Sequence, residues 1–288
     1  MRLFYYVHTG HRIGLDRFRR AATIIRALGD VDITLLTSDF RIASAARDYG
    51  VKRAVGIDVV RNIPQIAHHG DKIIFDSSEA NPLLLEDMRR FFSTFIRVSD
   101  DPEDAKGEGE FLISPYLEGD DIFTGVAIDP DCFQPTEKKI KRAFFFGDDD
   151  YEEDLLKSQK IFKRHEFDLL LGFYWFMDYE QKITDSFGAF YESEDYDEVI
   201  RHTDILLSAS PQAVLENLAC GGRPIFLQRP DYPRDFIPYF ESLNIPVVDG
   251  YDEAKLSHIL DTIASHAYHI LENNTHKLSK FLKAHLDL

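Results

Sequence analysis

One stretch of the chain predicts its fold: Asp204-Ile-Leu-Leu-Ser208-Ala-Ser210-Pro-Gln212-Ala-Val-Leu-Glu216-Asn-Leu-Ala-Cys-Gly-Gly-Arg-Pro-Ile-Phe-Leu. An apolar run, a small-residue turn, a short helical pattern, a glycine stop and a second apolar run are typical of a strand, a helix and a parallel strand. The helix begins between Ser208 and Gln212, so its free N–H groups and positive dipole end suit a phosphate. Glu216 follows one turn later, where a carboxylate can accept two ribose hydroxyls. The stretch therefore predicts a nucleotide-sugar site.

The same alternation of strand and helix patterns runs along the whole chain. It predicts an α/β protein with two doubly wound, Rossmann-like parallel sheets covered by helices. Strand-like runs lie at residues 3–7, 33–37, 72–76, 95–98, 142–146, 168–172, 204–208, 224–228 and 246–248, and helical patterns at 17–28, 152–162 and 212–219.

Prolines and charges interrupt the pattern between residues 129 and 139, before a new strand begins. Such interruptions are typical of a domain boundary. We expect an N-terminal domain over residues 1–136, a second domain over 137–265, and a C-terminal helix over 266–288 that crosses back onto the first domain.

Composition excludes several classes of partner. The chain has 33 basic and 50 acidic residues and a net charge of −17, which disfavours nucleic acid and anionic membranes. No apolar run is long enough for stable membrane insertion, and the N-terminus resembles a strand and not a signal peptide, so we expect a cytoplasmic protein. Cys132 and Cys220 lack metal-ligand spacing, and no metal or other cofactor is expected. The sequence does not indicate the oligomeric state.

Basic side chains are nevertheless concentrated near the N-terminus. A local basic patch in an acidic protein indicates an anionic small ligand, although the solvated face of the first helix explains the same pattern. The patch consists of Arg12, Arg17, Arg19, Arg20 and Arg26, together with His8 and His11.

Two segments together resemble the GT-B nucleotide-sugar enzymes: Gly14-Leu-Asp-Arg17-Phe-Arg-Arg20 after the first strand, and residues 208–224. Within that group the chain looks most like the UDP-sugar hydrolases of pseudaminic acid biosynthesis, and the peptidoglycan N-acetylglucosaminyltransferase is a more distant relative. The resemblance implies two domains that face across a cleft, no obligatory metal, a nucleotide on the second domain, and a first loop that faces the sugar.

The first loop departs from the hydrolase pattern at the position of the catalytic histidine. Those hydrolases have Gly-x-Gly-His-x-x-Arg, and here Arg17 stands where the histidine is expected. A guanidinium stays charged and cannot act as a base, but Arg17 can bind a carboxylate or phosphate. His11, or His8 from the same loop, is the alternative base.

The resemblance and the spacing together give the remaining candidate residues. Gly147 occupies the position of a glycine-rich loop of the family. A turn that starts at Ser210 stands where the family has a second glycine-rich turn. Arg229 and Arg234 follow the end of a strand, where the family contacts the donor sugar or phosphates. A proline-rich loop with paired charges explains both arginines without a ligand. The nucleotide-binding candidates are Gly147, Ser208, Ser210, Gln212 and Glu216, and the sugar or phosphate candidates are Gly14, Arg20, Arg229 and Arg234.

These features predict an enzyme that cleaves the bond between sugar and nucleotide, with a UDP-amino sugar as the expected substrate, by hydrolysis or transfer. One alternative is a glycosyltransferase that acts on cell-envelope glycan or flagellin. Another is a non-catalytic nucleotide-sugar-binding protein, which the loss of the family histidine and glycines favours.

Overall fold

The computed structural model of the chain describes residues 1–79, 81–175 and 179–288. Its contacts divide the chain into two compact units. The first unit comprises Met1–Ala127 and Asn274–Leu288, and the second comprises Ile128–Asn273. The sequence predicts domain limits at residues 136 and 265, and these limits remain a prediction that is separate from the division into two units.

The first unit is built on a seven-stranded sheet in the order β3-β2-β1-β4-β5-β6-β7, in which all neighbouring strands are parallel. All five residues of β1 are buried, as expected for a central strand covered on both faces. The strands are Leu3–Val7 (β1), Ile33–Thr37 (β2), Ala54–Gly56 (β3), Lys72–Asp76 (β4), Thr94–Val98 (β5), Phe111–Ser114 (β6) and Ile122–Thr124 (β7).

Helices of the first unit follow their strands in the usual βα alternation. The first of them buries Phe18, Ala22 and Ile25 along one face and ends at Gly29, whose φ of 75° suits glycine at a helix stop. The helices are Asp16–Leu28 (α1), Phe40–Ala45 (α2), Ile63–Ile66 (α3) and Pro82–Phe91 (α4).

The second unit is built on a six-stranded parallel sheet in the order β10-β9-β8-β11-β12-β13. Aromatic side chains fill one face of this sheet, and the rings of Phe144 and Phe162 stack with centroids 4.6 Å apart. The strands are Ile140–Phe145 (β8), Asp168–Leu170 (β9), Phe190–Tyr191 (β10), Thr203–Ser208 (β11), Arg223–Gln228 (β12) and Val247–Asp249 (β13).

The described residues of the second unit form six α-helices, and the helix after them returns to the first unit. The returning helix, α11, donates from Ser279 Oγ to the carbonyl of Ala27 at 2.8 Å, and Lys72 Nζ lies 3.0 Å from Asp287 Oδ2 beyond its end. The helices are Asp154–Lys163 (α5), Tyr179–Ile183 (α6), Tyr196–His202 (α7), Pro211–Ala219 (α8), Ile237–Ser242 (α9), Glu253–Thr262 (α10) and Thr275–His285 (α11).

The prediction of two doubly wound, Rossmann-like sheets is confirmed. In each sheet the strand order reverses once, between β1 and β4 in the first unit and between β8 and β11 in the second. Sheets of this type bind ligands at the carboxyl ends of the strands beside the reversal. Each unit therefore has one edge where a ligand site is expected. Among the described residues, no helix is long and apolar enough to cross a membrane.

A buried ion network fixes the acidic loop that follows β5. Glu110 accepts hydrogen bonds from the amide of Gly107 at 2.7 Å, from Arg97 Nη2 at 2.8 Å and from Arg89 Nη1 at 3.1 Å. Burial opposes ionisation of Glu110, but these donors outweigh it and lower the pKa of the carboxyl. The network therefore depends on an ionised Glu110.

Glu110→Gln is expected to lower the free energy of unfolding by about 2 kcal/mol at pH 7, because the charge-assisted hydrogen bonds are weakened. Since folding lowers the pKa of Glu110, its contribution is present above about pH 4.3 and is lost as the pH falls through the folded-state pKa. Denaturant titrations between pH 7 and pH 3 test this. A difference between variant and wild type that is as large at pH 3 as at pH 7 would contradict it.

Candidate functional site

The edge at which β8 and β11 end carries most of the candidate residues of the second unit. β8 is followed by a loop that contains Gly147, and β11 leads through Ser210 into α8. The amide of Ala209 donates to the carbonyl of Phe145 at 3.1 Å, so the two segments leave the sheet side by side. Gly147 has a φ of 109°, a conformation that side chains disfavour. The structure thus brings Gly147 and the start of α8 to one edge.

Two serine hydroxyls shape the start of α8. Ser208 Oγ accepts from the amide of Ser210 at 3.0 Å, and Ser210 Oγ accepts from the amide of Ala213 at 3.1 Å, as an N-cap does. Pro211 occupies the first turn, where its missing N–H costs nothing. The turn therefore aims the positive end of the α8 dipole at the carboxyl edge of the sheet, where an anion is favoured.

Glu216 is held in one orientation by two neighbours. Tyr196 in α7 donates its hydroxyl to Glu216 Oε2 at 2.9 Å, and Gln212 Nε2 donates to Oε1 at 2.8 Å. The residue is only 6% exposed. Each carboxylate oxygen has two lone pairs and can accept more than one hydrogen bond. Gln212, a nucleotide-binding candidate, also positions Glu216, and their spacing of four residues on one helix is the signal that indicates this contact.

Arg229 fixes the loop that contains Gly147. Its guanidinium lies between the rings of Phe146 and Tyr232, 4.2 and 4.1 Å from their centroids. Arg229 Nη1 donates to the carbonyl of Asp149 at 2.9 Å, and Nε and Nη2 contact the Asp231 carboxylate at 3.0 and 2.7 Å. These contacts give Arg229 a positioning role. Its binding to phosphate stays a prediction.

The acidic run after Gly147 includes a helix cap. Asp150 accepts from the amides of Asp154 and Leu155 at 2.8 and 3.1 Å, and the hydroxyl of Tyr179 donates to it as well. Burial raises the pKa of Asp150 despite these donors. Asp150 therefore anchors the end of the loop to α5, so both ends of the segment beside Gly147 are fixed.

Gly172 packs directly against this loop. A Cβ atom at residue 172 would lie 2.4 Å from the carbonyl oxygen of Gly147 and 2.6 Å from the carbonyl carbon of Asp148. We expect Gly172→Ala to lower the free energy of unfolding by about 3 kcal/mol, because backbone atoms must move.

Gly221 provides a control for this substitution. At Gly221 nothing lies within 4 Å of the added Cβ atom, and only the φ of 75° opposes a side chain. Gly221→Ala is therefore expected to cost only about 1 kcal/mol. Equal effects in thermal unfolding would contradict this account.

Arg234 and Arg20 lie in contrasting surroundings. Arg234 is 60% exposed and contacts Asp249 at 2.9 Å. Arg20 is buried, donating to Asp76 from Nε at 2.9 Å and from Nη2 at 2.7 Å, and to Asp100 from Nη2 at 3.1 Å. Two carboxylates thus neutralise the guanidinium of Arg20. The assignment of both arginines to sugar or phosphate stays a prediction.

The first loop contains the other candidates of the first unit. Gly14, with a φ of 81°, pairs with Gly10 in an isolated bridge and closes the loop. His11 is exposed on this loop. Arg17 is partly exposed, and its Nε lies 3.6 Å from Asp76 Oδ1. His8, at the end of β1, has its Nδ1 2.8 Å from Ser78 Oγ. The loop therefore holds two histidines in different surroundings.

No protein-family model and no curated protein matches the sequence. Solved structures do match over nearly the whole chain. The UDP-GlcNAc 2-epimerase of Methanocaldococcus jannaschii, in complex with UDP-GlcNAc and UDP, has a TM-score of 0.63 at 10% identity and covers 99% of each chain. Anabaena Alr3699/HepE, in complex with UDP-glucose, has a TM-score of 0.59 at 12% identity, covering 100% of this chain and 94% of its own.

A glycosyltransferase from Rickettsia africae has a TM-score of 0.53 at 11% identity, covering 99% of this chain and 93% of its own. At such identities the likeness concerns the fold. The chain therefore has the fold of GT-B glycosyltransferases and UDP-GlcNAc 2-epimerases, with two Rossmann-like domains.

Proposed function

We propose that this protein is a nucleotide-sugar enzyme of glycan biosynthesis and that the second unit binds the nucleotide. One observation carries the proposal: Glu216 is fixed one turn beyond the capped start of α8, at the edge where the strand order reverses. In this proposal the start of α8 faces the diphosphate and Glu216 accepts the ribose hydroxyls. The similar structures that contain UDP, UDP-GlcNAc or UDP-glucose support uridine as the base.

The reaction that we propose is cleavage of the bond between the sugar and the diphosphate. As that bond breaks, its electron pair passes to a phosphate oxygen, and the positive end of α8 stabilises the new charge. The attacking oxygen comes from water, as in the hydrolases that the sequence resembles, or from an acceptor hydroxyl, as in a glycosyltransferase of cell-envelope glycan or flagellin. His11 and Arg17 are the catalytic candidates that the sequence indicates, with His8 as the alternative base.

A non-catalytic nucleotide-sugar-binding protein is the second candidate. Arg17 stands where the hydrolases have their histidine, and a permanently charged guanidinium cannot serve as a base. Such a protein keeps the nucleotide site of the second unit and lacks turnover.

Calorimetric titration of the whole chain with UDP, CMP and GDP tests nucleotide binding. We expect micromolar affinity for UDP and weaker binding of CMP and GDP. Incubation with UDP-GlcNAc and UDP-glucose, followed by detection of free UDP, then separates a hydrolase from a binding protein and from a transferase that needs an acceptor. Failure to bind any of the three nucleotides would contradict the proposed function.

A further inference from the structure

The carboxyl edge of the first sheet carries a polar cluster beside its own reversal of strand order. β1 ends at Val7 and β4 at Asp76, and these two strands are neighbours. The amide of His8 donates to the carbonyl of Asp76 at 2.9 Å, so the chain after β1 stays beside the chain after β4. Ser78 and Glu79 lie two and three residues after the end of β4. This edge is the place in the first unit where a ligand site is expected.

Two side chains contact the imidazole of His8, and a third supports one of them. Its Nδ1 lies 2.8 Å from Ser78 Oγ, and its Nε2 lies 3.8 Å from Glu79 Oε2. The same Glu79 oxygen accepts a hydrogen bond from the hydroxyl of Tyr6 at 2.7 Å. The side chain of His8 keeps 18% of its surface exposed and that of Glu79 keeps 35%. The imidazole is thus oriented by defined partners and remains accessible to a ligand.

We propose that His8 is the general base of this protein and that Glu79 and Ser78 position its ring. The proposal rests on the proposed function, because the proton to be removed belongs to the water or hydroxyl that attacks the sugar. The base is then His8 and not residue 17, which is the position of the histidine in the hydrolase pattern and is an arginine here. Tyr6, which donates to Glu79, supports the orientation of the carboxylate.

The arrangement defines which nitrogen accepts the proton. A carboxylate beside Nε2 favours the tautomer with hydrogen on Nε2 and a lone pair on Nδ1. The attacking oxygen releases its proton, either directly to Nδ1 in place of Ser78 or through the Ser78 hydroxyl. At the same time the oxygen bonds to the sugar carbon, and the bond to the diphosphate breaks with its electrons on oxygen. The imidazolium that results is stabilised by Glu79 and later returns its proton to solvent.

Burial, together with the nearby Arg17, favours the neutral form of the His8 imidazole. Burial lowers the pKa of His8, Glu79 raises it and Arg17 lowers it further, so that the net shift is downward. Glu79 lies after β4, Arg17 in the first turn of α1 and Tyr6 on β1. A neutral imidazole is the form that can accept a proton. Activity should therefore decline on the acid side as His8 becomes protonated.

Variants of the whole chain test this role through the release of UDP from UDP-GlcNAc and UDP-glucose. We expect His8→Gln to lower kcat by about 100-fold to 1000-fold, with KM and calorimetric UDP affinity changed less than threefold. His68→Gln, a change at an exposed histidine of the same unit, is the matched control and should keep kcat within twofold of wild type.

Glu79→Gln separates positioning from structural damage through the pH profile. Since the negative charge of Glu79 raises the pKa of His8, its loss should move the acid limb of kcat/KM to lower pH and also lower the plateau. A merely structural effect would lower the plateau without moving the limb. The midpoint of the limb is the quantity to compare.

Three results would overturn the assignment. A kcat of His8→Gln within threefold of wild type would exclude the base role. A loss of activity in His11→Gln without one in His8→Gln would give that role to the exposed histidine. Wild-type protein that binds UDP but releases none from either sugar nucleotide would exclude His8 as a base for their hydrolysis and leave the nucleotide site intact. Absence of UDP binding, in contrast, would contradict the proposed function itself.

Discussion

Arg20→Met is expected to lower the free energy of unfolding by about 3–5 kcal/mol, because it leaves buried carboxylates without their cation. Asp76 is fully buried, and its pKa is raised by burial even with Arg20 beside it. The hydroxyl of Tyr5 also donates to Asp76, at 3.1 Å, so the loss of Arg20 leaves one polar donor and the more distant Arg17. Chemical denaturation at pH 7 gives the magnitude.

Arg53→Met is the matched control for this experiment. Arg53 pairs with Asp32 at 2.8 Å, but the two side chains are 64% and 73% exposed. Pairs in solvent contribute little, so the control should change the free energy of unfolding by less than about 1 kcal/mol. If Arg20→Met is as mild as the control, the buried network does not stabilise the first unit and Arg20 is available for a ligand.

Glu216→Ala is expected to weaken UDP binding about 100-fold, which corresponds to roughly 2.7 kcal/mol. The loss combines the charge-assisted hydrogen bonds proposed for the ribose with the release of Tyr196 and Gln212 from their shared acceptor. Calorimetric titration with UDP measures it. A dissociation constant within threefold of the wild-type value would contradict the proposed role of Glu216.

Glu241→Ala controls for the loss of a negative charge from the second unit. Glu241 lies exposed on α9, so its removal should leave UDP affinity within twofold of wild type. An equal gain or loss in both variants would mean that net charge, and not the position of Glu216, governs nucleotide affinity. Far-UV circular dichroism of both variants establishes that they are folded.

The sequence predicted the fold because its signals were local. Apolar runs, Ser210 before Pro211 and the glycine after α8 each determine structure within a few residues of their own position. These signals were sufficient for two doubly wound sheets and for the start of α8 at the edge of its sheet. Register and strand order were not predicted, because no single residue of the chain determines them.

The contacts that define the candidate site joined residues far apart in sequence. Arg229 reaches the carbonyl of Asp149, 80 positions earlier, and His8 meets Ser78, 70 positions later. Neither pairing leaves a periodic or spacing signal in the chain. Gln212 and Glu216 are the exception, since residues four apart on a helix share a face, and that spacing was a signal for their hydrogen bond.

Hydrogen exchange measured by mass spectrometry, with and without saturating UDP, tests the location of the nucleotide most directly. We expect slower exchange in the loop at residues 146–150 and at the start of α8, residues 209–216, because a bound diphosphate and ribose protect those amides. Protection confined to the first unit, or unchanged exchange in both segments while UDP is bound, would contradict a nucleotide site on the second unit.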